Sequence, residues 1–83
     1  MTACAIGQAA AALFLRSAAG RNLAEIAQAQ SEIEAWLAGG DMQPTWPDIG
    51  ELGAARGYAA RHTAILLPWK AALAALSNPP RAG

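Results

Sequence analysis

The amino-acid sequence predicts an all-α protein, a bundle of about four helices. Of the 83 residues, 23 are alanine, the strongest helix former, and none is valine. Isoleucine, threonine and the aromatic residues, which favour strands, together number 13. A chain of this length supports one domain. We expect that domain over residues 1–78, with a frayed tail over residues 79–83.

The first helix is predicted from Cys4 to Ala19, because apolar residues recur at spacings of three and four. They are Ile6, Ala9, Ala10, Leu13 and Phe14. Gly20 favours a helix end, since glycine adopts the left-handed conformation without a steric penalty. The apolar run lacks the preceding positive charge of a signal peptide and is too short to span a membrane. We therefore expect a cytoplasmic protein without a membrane partner.

The second helix has the clearest predicted start, at Asn22. Asn22 and Glu25 have the spacing of a capping box, in which each side chain binds the backbone N–H of the other residue. The predicted apolar stripe consists of Leu23, Ile26, Ala27, Gln30, Ile33 and Leu37, of which only the glutamine is polar. Two glycines, Gly39 and Gly40, are expected to end the helix.

A loop and a short helix are expected next. Two prolines lie in the loop over residues 41–47, and we expect Trp46 to anchor this loop on the core. Asp48 and Glu51 repeat the capping-box spacing. A short helix is therefore predicted from Asp48 to Arg56, ended by the glycine that follows.

The last helix is predicted from Thr63 to Leu76, after an extended connector over residues 58–62. Pro68 has no backbone N–H to donate, so we expect it near the first turn of this helix, unless the helix starts later. The predicted apolar stripe consists of Ile65, Leu66, Trp69, Leu73 and Leu76.

The charged residues are sorted along the chain, although their sum is zero. All six acidic residues lie within residues 25–51, and all six basic residues lie outside this stretch. The balanced charge argues against a nucleic-acid partner. The sorting is typical of solvated helix faces, or of a two-faced surface for a charged protein partner.

Few side chains can carry chemistry, and the candidates are Cys4 and His62. The single cysteine excludes an intramolecular disulfide and a zinc site built from several cysteines. Cys4 has a structural interpretation as a small buried residue, and His62 has one as a surface or capping residue. Cys4 also lies at a predicted helix N-terminus, where the dipole favours the thiolate that accepts sulfur or binds metal. Arg61 and His62 precede the last helix, so two converging helix starts would form an electropositive pocket.

Four segments resemble the iron–sulfur cluster assembly scaffolds of the NifU/IscU/SufU type. Residues 3–9 (ACAIGQA) are similar to the segment around the second cysteine of that family. Residues 48–52 look like its acidic-leucine segment, and residues 57–61 look like its aromatic-Pro-x-Arg segment, with Ala59 in place of the proline. Residues 67–73 (LPWKAAL) resemble the helix that follows the third cysteine. The likeness extends over residues 3–76 in the same order.

The resemblance implies that Cys4 is a metal ligand and sulfur acceptor in cluster assembly, supported by Arg61. His62 lies close to the family's third-cysteine position and could substitute as a metal ligand, whereas the third cysteine itself corresponds to Ala64. The first cysteine and its aspartate belong to an N-terminal half with no counterpart in this sequence. The family fold is α+β, and the present helices correspond to its helical half.

One thiol and one imidazole cannot complete a cluster or zinc site, each of which takes about four ligands. We therefore expect an iron–sulfur cluster or zinc to bind transiently, with none held stably by this chain alone. The resemblance implies a cysteine desulfurase as partner and a protein that is not an enzyme.

Helices that normally cover a sheet would expose an apolar face, so we expect a homodimer or higher oligomer. The residues expected to meet their copies are Leu13, Phe14, Ile26, Ile33, Trp69 and Leu73. An alternative function is a helical oligomerisation or interaction module that has lost metal chemistry. A further alternative is a small thiol enzyme that uses Cys4 and His62.

Overall fold

The computed structural model describes the backbone of residues 2–77 and the side chains of residues 5–77. Within this part of the chain there are helices and no strands, which confirms the prediction of an all-α bundle. The elements are α1 (Thr2–Ala18), α2 (Leu23–Leu37), a 3₁₀-helix (Ile49–Gly57), a 3₁₀-turn (Ala59–Arg61) and α3 (His62–Ser77). The predicted tail over residues 79–83 and the side chain of Cys4 lie outside the described residues.

The capping box predicted at the start of α2 is present. The Glu25 N–H donates to Oδ1 of Asn22, and the Asn22 N–H donates to Oε1 of Glu25, each over 2.9 Å. Two backbone donors at the helix start are thereby satisfied. The helix ends as expected, because Gly39 adopts a φ of 110° that other residues rarely take.

Helix α3 lies at the centre of the bundle. It packs against both α1 and α2, whereas α1 and α2 contact each other much less. The 3₁₀-helix also contacts both α1 and α2. All of these elements contribute to one core, whose largest fully buried side chains are Trp46, Trp69, Leu13, Ile33, Ile49 and Ile65.

Trp46 attaches the loop before the 3₁₀-helix to this core, as predicted. Its indole N–H donates to the carbonyl of Leu13 over 2.9 Å, and its ring stacks on Phe14 with centroids 5.5 Å apart. Trp69 contacts the rings of Phe14 and Trp46 edge to face, at centroid distances of 5.4 and 5.2 Å. Three aromatic rings therefore join α1, the loop and α3.

The prediction of a second capping box at Asp48 and Glu51 is wrong. Asp48 lies in the left-handed region with a φ of 63°, and its side chain makes no capping bond. The Glu51 N–H bonds the backbone carbonyl of Asp48 instead, over 3.0 Å. The Asp48 carboxylate lies 3.9 Å from the guanidinium of Arg16 on α1.

Two predictions about the last helix are also wrong. Residues 58–62 are not extended, because the Arg61 N–H donates to the Tyr58 carbonyl over 2.9 Å and closes a turn. Pro68 lies in the interior of α3 rather than near its first turn. The helix tolerates the loss of this hydrogen bond because packing supplies most of the stability of a short helix, and the neighbouring Trp69 is fully buried.

The buried face of α2 differs from the predicted stripe. Trp36 and Ala29 are buried, whereas Leu23 and Ala27 are exposed. Trp36 packs beside Gly53 of the 3₁₀-helix, where a Cβ atom would come within 3.9 Å of the indole ring. The buried face of α2 therefore includes the side that contacts the 3₁₀-helix.

Candidate functional site

Helices α1 and α3 run in the same direction, so their N-termini lie at one end of the bundle. Near that end, Ile6 and Arg61 line the same small pocket. Two turns further along both helices, the rings of Phe14 and Trp69 are in contact. The convergence of the two helix starts, which the sequence left open, is therefore present.

The small pocket at this end has a volume of about 180 Å³. Its lining residues are Ala5, Ile6, Ala54, Ala55, Tyr58 and Arg61. The Arg61 guanidinium lies 5.0 Å from the centroid of the Tyr58 ring, which is the distance of a cation–π contact. Cys4 directly precedes Ala5, a lining residue of this pocket, within α1. Apart from this guanidinium and the Tyr58 ring, the lining residues of the pocket are alanine and isoleucine.

His62, the first residue of α3, is half-buried beside the 3₁₀-helix. Its Nε2 lies 3.0 Å from the carbonyl oxygen of Arg56. A carbonyl oxygen only accepts, so Nε2 carries the proton and a neutral ring keeps its lone pair on Nδ1. Histidines that bind metals commonly use this arrangement, in which one ring nitrogen donates to a carbonyl and the other binds the ion.

The described residues do not supply a complete metal site. Among them, no three His, Cys, Asp or Glu residues lie close enough together to hold an ion. Of the two residues predicted as metal ligands, only the side chain of His62 is described. Two ligands fall short of the four that zinc or an iron–sulfur cluster takes.

An open apolar groove of about 720 Å³ runs between α1 and α3. Its lining residues are Gly7, Gln8, Ala11, Phe14, Leu15, Ala64, Leu67, Pro68, Ala71 and Ala72. Leu15 on one wall is 73% exposed and Leu67 on the other is 59% exposed. Position 4 precedes Gly7 by three residues in α1, so the helix register places it in line with the groove, at the end where Ala64 lies.

Four of the six residues predicted to contact a second copy are buried within one chain, whereas Phe14 lines the exposed α1/α3 groove. Leu13, Ile26, Ile33 and Trp69 are buried within one chain, and Phe14 and Leu73 pack against the same core. The reason is that α3 brings the apolar faces of α1 and α2 together, so one chain buries its own stripes. The exposed apolar surface is the α1/α3 groove instead. Leu15 and Leu67 in this groove do not belong to the apolar stripes predicted for their helices. A large apolar residue outside the stripe was the sequence signal for an exposed apolar surface.

No helix in the described part of the chain combines the length and apolarity needed to cross a bilayer. No protein-family model, curated protein or solved structure matches this chain. The resemblance to the cluster assembly scaffolds therefore stays a prediction.

Proposed function

We propose that this protein is a scaffold-type component of iron–sulfur cluster assembly, which binds iron or zinc or accepts sulfur through Cys4. It works in the cytoplasm with a cysteine desulfurase and is not an enzyme. These assignments rest on the resemblance of residues 3–9, 48–52, 57–61 and 67–73 to the family segments.

One observation carries the proposal. The resemblance relates Cys4 and Ala64 to two cysteine positions of the family, and these positions are 60 residues apart in the sequence. In the fold, Ala64 lines the end of the α1/α3 groove with which position 4 is in register. Arg61 lines the small pocket at the same end. This juxtaposition supports a shared sulfur or metal site at this end of the bundle.

The ligand set limits the activity of a lone chain. Cys4 and His62 can each donate one atom, so a bound ion keeps its other positions for water, sulfide or a partner's groups. We expect transient handling of the cargo rather than stable storage. A cysteine at position 64 would supply the ligand that the family pattern has there.

Zinc binding to the purified chain under argon, measured by competition with a chromogenic chelator, tests this proposal. Cys4→Ser should weaken the affinity for zinc by about tenfold or more, and Ala64→Cys should strengthen it by a similar factor. Ala71→Cys is the matched control, because it adds a thiol to the same groove two turns further along α3. If Cys4→Ser has no effect, or if both added cysteines act alike, the assignment of this end of the bundle is wrong.

Reconstitution with iron and sulfide tests the expected weakness of the lone chain. The natural chain should not retain a cluster through gel filtration. A stable cluster with stoichiometric iron and sulfide would contradict that expectation, although it would support the scaffold role.

The second candidate is a helical oligomerisation or interaction module without metal chemistry, and the exposed α1/α3 groove favours it. Contiguous apolar surface that stays open to water commonly marks an interface. Sedimentation at micromolar concentration checks the predicted homo-oligomer. This candidate is supported if the natural chain binds no metal and Cys4→Ser has the same association state as the natural chain.

A further inference from the structure

The α1/α3 groove is an uncharged face of the molecule. Of its lining residues only Gln8 is polar, and Lys70 of α3 is not among them. Arg16 of α1 is paired with Asp48 and Glu51 and does not line the groove either. Such a face can meet a copy of itself without the repulsion that like charges would cause.

Helices α1 and α3 lie side by side in one register along the groove. Ile6 and Arg61 line the same small pocket, and the rings of Phe14 and Trp69 are in contact. The members of each pair are 55 residues apart in the sequence. A residue of α1 therefore lies level with the residue 55 positions later, on α3.

Each wall of the groove has one tall side chain that is level with a small residue on the other wall. Leu15 on α1 lies within one residue of the level of Ala71 on α3. Leu67 on α3 lies within one residue of the level of Ala11 on α1. The two leucines are 73% and 59% exposed, so they project from the face, whereas the alanines leave hollows beside them.

A two-fold axis along the groove makes this face complementary to itself. The rotation places α1 of one copy over α3 of its partner, with both helices running in the same direction. Leu15 then meets the partner's Ala71, and Leu67 meets the partner's Ala11. An axis across the middle of the groove would instead set Leu67 against its own copy, since Leu67 lies one residue from the middle of the α3 wall. The match of leucines with alanines therefore favours the axis along the groove.

The size of the face sets the strength of the contact. Helices α1 and α3 have 17 and 16 residues, so each is about 25 Å long. Two helices side by side are about 20 Å wide, which gives roughly 500 Å² per chain. This is less than the roughly 800 Å² per partner of a standard stable interface, so we expect a weak, reversible dimer.

We propose that the α1/α3 groove is the interface of a symmetric homodimer whose two-fold axis runs along the groove. The same ends of α1 and α3, where His62 lies, then meet at one end of the dimer. This inference rests on the oligomerisation role given above as the second candidate, and it names the surface and the arrangement of the copies. No charged residue lines the groove to select a foreign helix, whereas the match of leucines with alanines belongs to the face paired with itself.

Sedimentation velocity of the full chain tests the surface, over concentrations from about 10 μM to about 1 mM because the dimer is expected to be weak. The natural chain should shift from monomer to dimer. Leu67→Ser should weaken the association by about tenfold or more, since each dimer loses two leucine side chains from its interface. Leu23→Ser is the matched control, because Leu23 is an exposed leucine of α2 outside the groove, and it should associate as the natural chain does. Circular dichroism confirms that each variant is folded.

Cross-linking with a short bismaleimide tests the direction of the two-fold axis. Three single-cysteine variants are made in the Cys4→Ser background: Gly7→Cys, Ala64→Cys and Ala71→Cys. The first has room for its new side chain, because a Cβ atom at Gly7 meets nothing within 4 Å. They are mixed in pairs, and intact mass identifies the products that join different variants. The proposed axis brings Gly7 close to the partner's Ala64, whereas an axis across the groove brings Ala64 close to the partner's Ala71. The first pair should therefore cross-link and the second should not.

Several results would overturn the inference. It fails if the chain stays monomeric over the whole concentration range. It fails as well if Leu67→Ser and Leu23→Ser associate equally, and the oligomerisation role then survives on another surface. A cross-link between Ala64→Cys and Ala71→Cys alone refutes the proposed axis. A monomer that binds phosphatidylglycerol vesicles through Leu67 assigns the groove to a membrane surface instead. Zinc titration of Leu67→Ser reports on the Cys4 proposal separately.

Discussion

Replacing Trp46 or Trp69 by phenylalanine should destabilise the fold by clearly different amounts. Both side chains are buried in one aromatic cluster, at 2% and 0% exposure. The indole N–H of Trp46 donates to the Leu13 carbonyl over 2.9 Å. The buried Nε1 of Trp69 has no hydrogen-bond acceptor among the described residues. Since both replacements remove the same indole atoms, their difference measures mainly the hydrogen bonding.

The expected difference follows from the two environments. Trp46→Phe loses a buried hydrogen bond, which costs about 1 kcal/mol of the free energy of unfolding. Trp69→Phe removes a buried donor without an acceptor, which regains about 1–3 kcal/mol. The cavity that each replacement leaves is similar, so Trp46→Phe should be the more destabilising by about 2–4 kcal/mol. A chain of this size has a total stability of roughly 3–5 kcal/mol, so the difference should be easy to see.

Urea unfolding followed by the helical circular dichroism signal measures both free energies. The dependence of the free energy on urea should be the same in the two variants, because the surface exposed on unfolding is nearly the same. If Trp69→Phe is as destabilising as Trp46→Phe, or more so, then the bond to Leu13 does not hold the loop as described.

Three further changes test other parts of the fold. Gly7→Ala should raise the free energy of unfolding by about 0.5–1 kcal/mol in urea titrations, because glycine in a helix is entropically costly and the new Cβ atom meets open space; a loss of stability would show that the groove is closed. Asn22→Ala should lower it by about 1 kcal/mol through loss of the bond from the Glu25 N–H, and Asn22→Ser should restore most of it. The backbone N–H of Thr45 holds the pKa of Glu32 below its usual value, so this carboxylate contributes stability above the usual carboxyl pKa and loses it as the pH falls through the lowered value. The drop in the unfolding midpoint between neutral and acid pH should be smaller in Glu32→Gln than in the natural chain. An equal drop would show that Glu32 does not contribute to the pH dependence of stability.

The sequence predicts the helices well where local signals agree. The start of α2 at Leu23 follows from the capping residues before it, and its end at Leu37 follows from the glycines after it. Alanine content and apolar spacing place α1 and α3 to within two residues at each end. These helix bounds depend on residues that are close in sequence, so they can be predicted from one sequence.

Other features depend on contacts between distant residues and could not be predicted. Trp36 belongs to the buried face of α2 because it packs beside Gly53, a residue of the 3₁₀-helix that is distant in sequence. Pro68 is accepted inside α3 because the burial of Trp69 outweighs one missing hydrogen bond. The sequence does not show that α3 packs against the apolar faces of both α1 and α2. It therefore does not predict that Leu13, Ile33 and Trp69 are buried within one chain.

The candidate site divides in the same way. Cys4, Arg61 and His62 were identified by residue type and resemblance, and the fold brings the two helix starts that carry them to one end of the bundle. The contact between His62 and the Arg56 carbonyl was not predicted, because it depends on the 3₁₀-turn that replaces the expected extended connector. The groove beside the site was not predicted either, because it forms between helices far apart in sequence.

The central position of α3 has a consequence for biosynthesis. The helix against which both of the others pack is the last one to leave the ribosome, and α1 and α2 have little contact of their own. Isolated helices of 15 to 17 residues are marginal in water, so the nascent chain has no stable core until residue 77 has emerged. The core of these residues can therefore form only after α3 has emerged. During translation, the apolar faces of α1 and α2 stay available to chaperones.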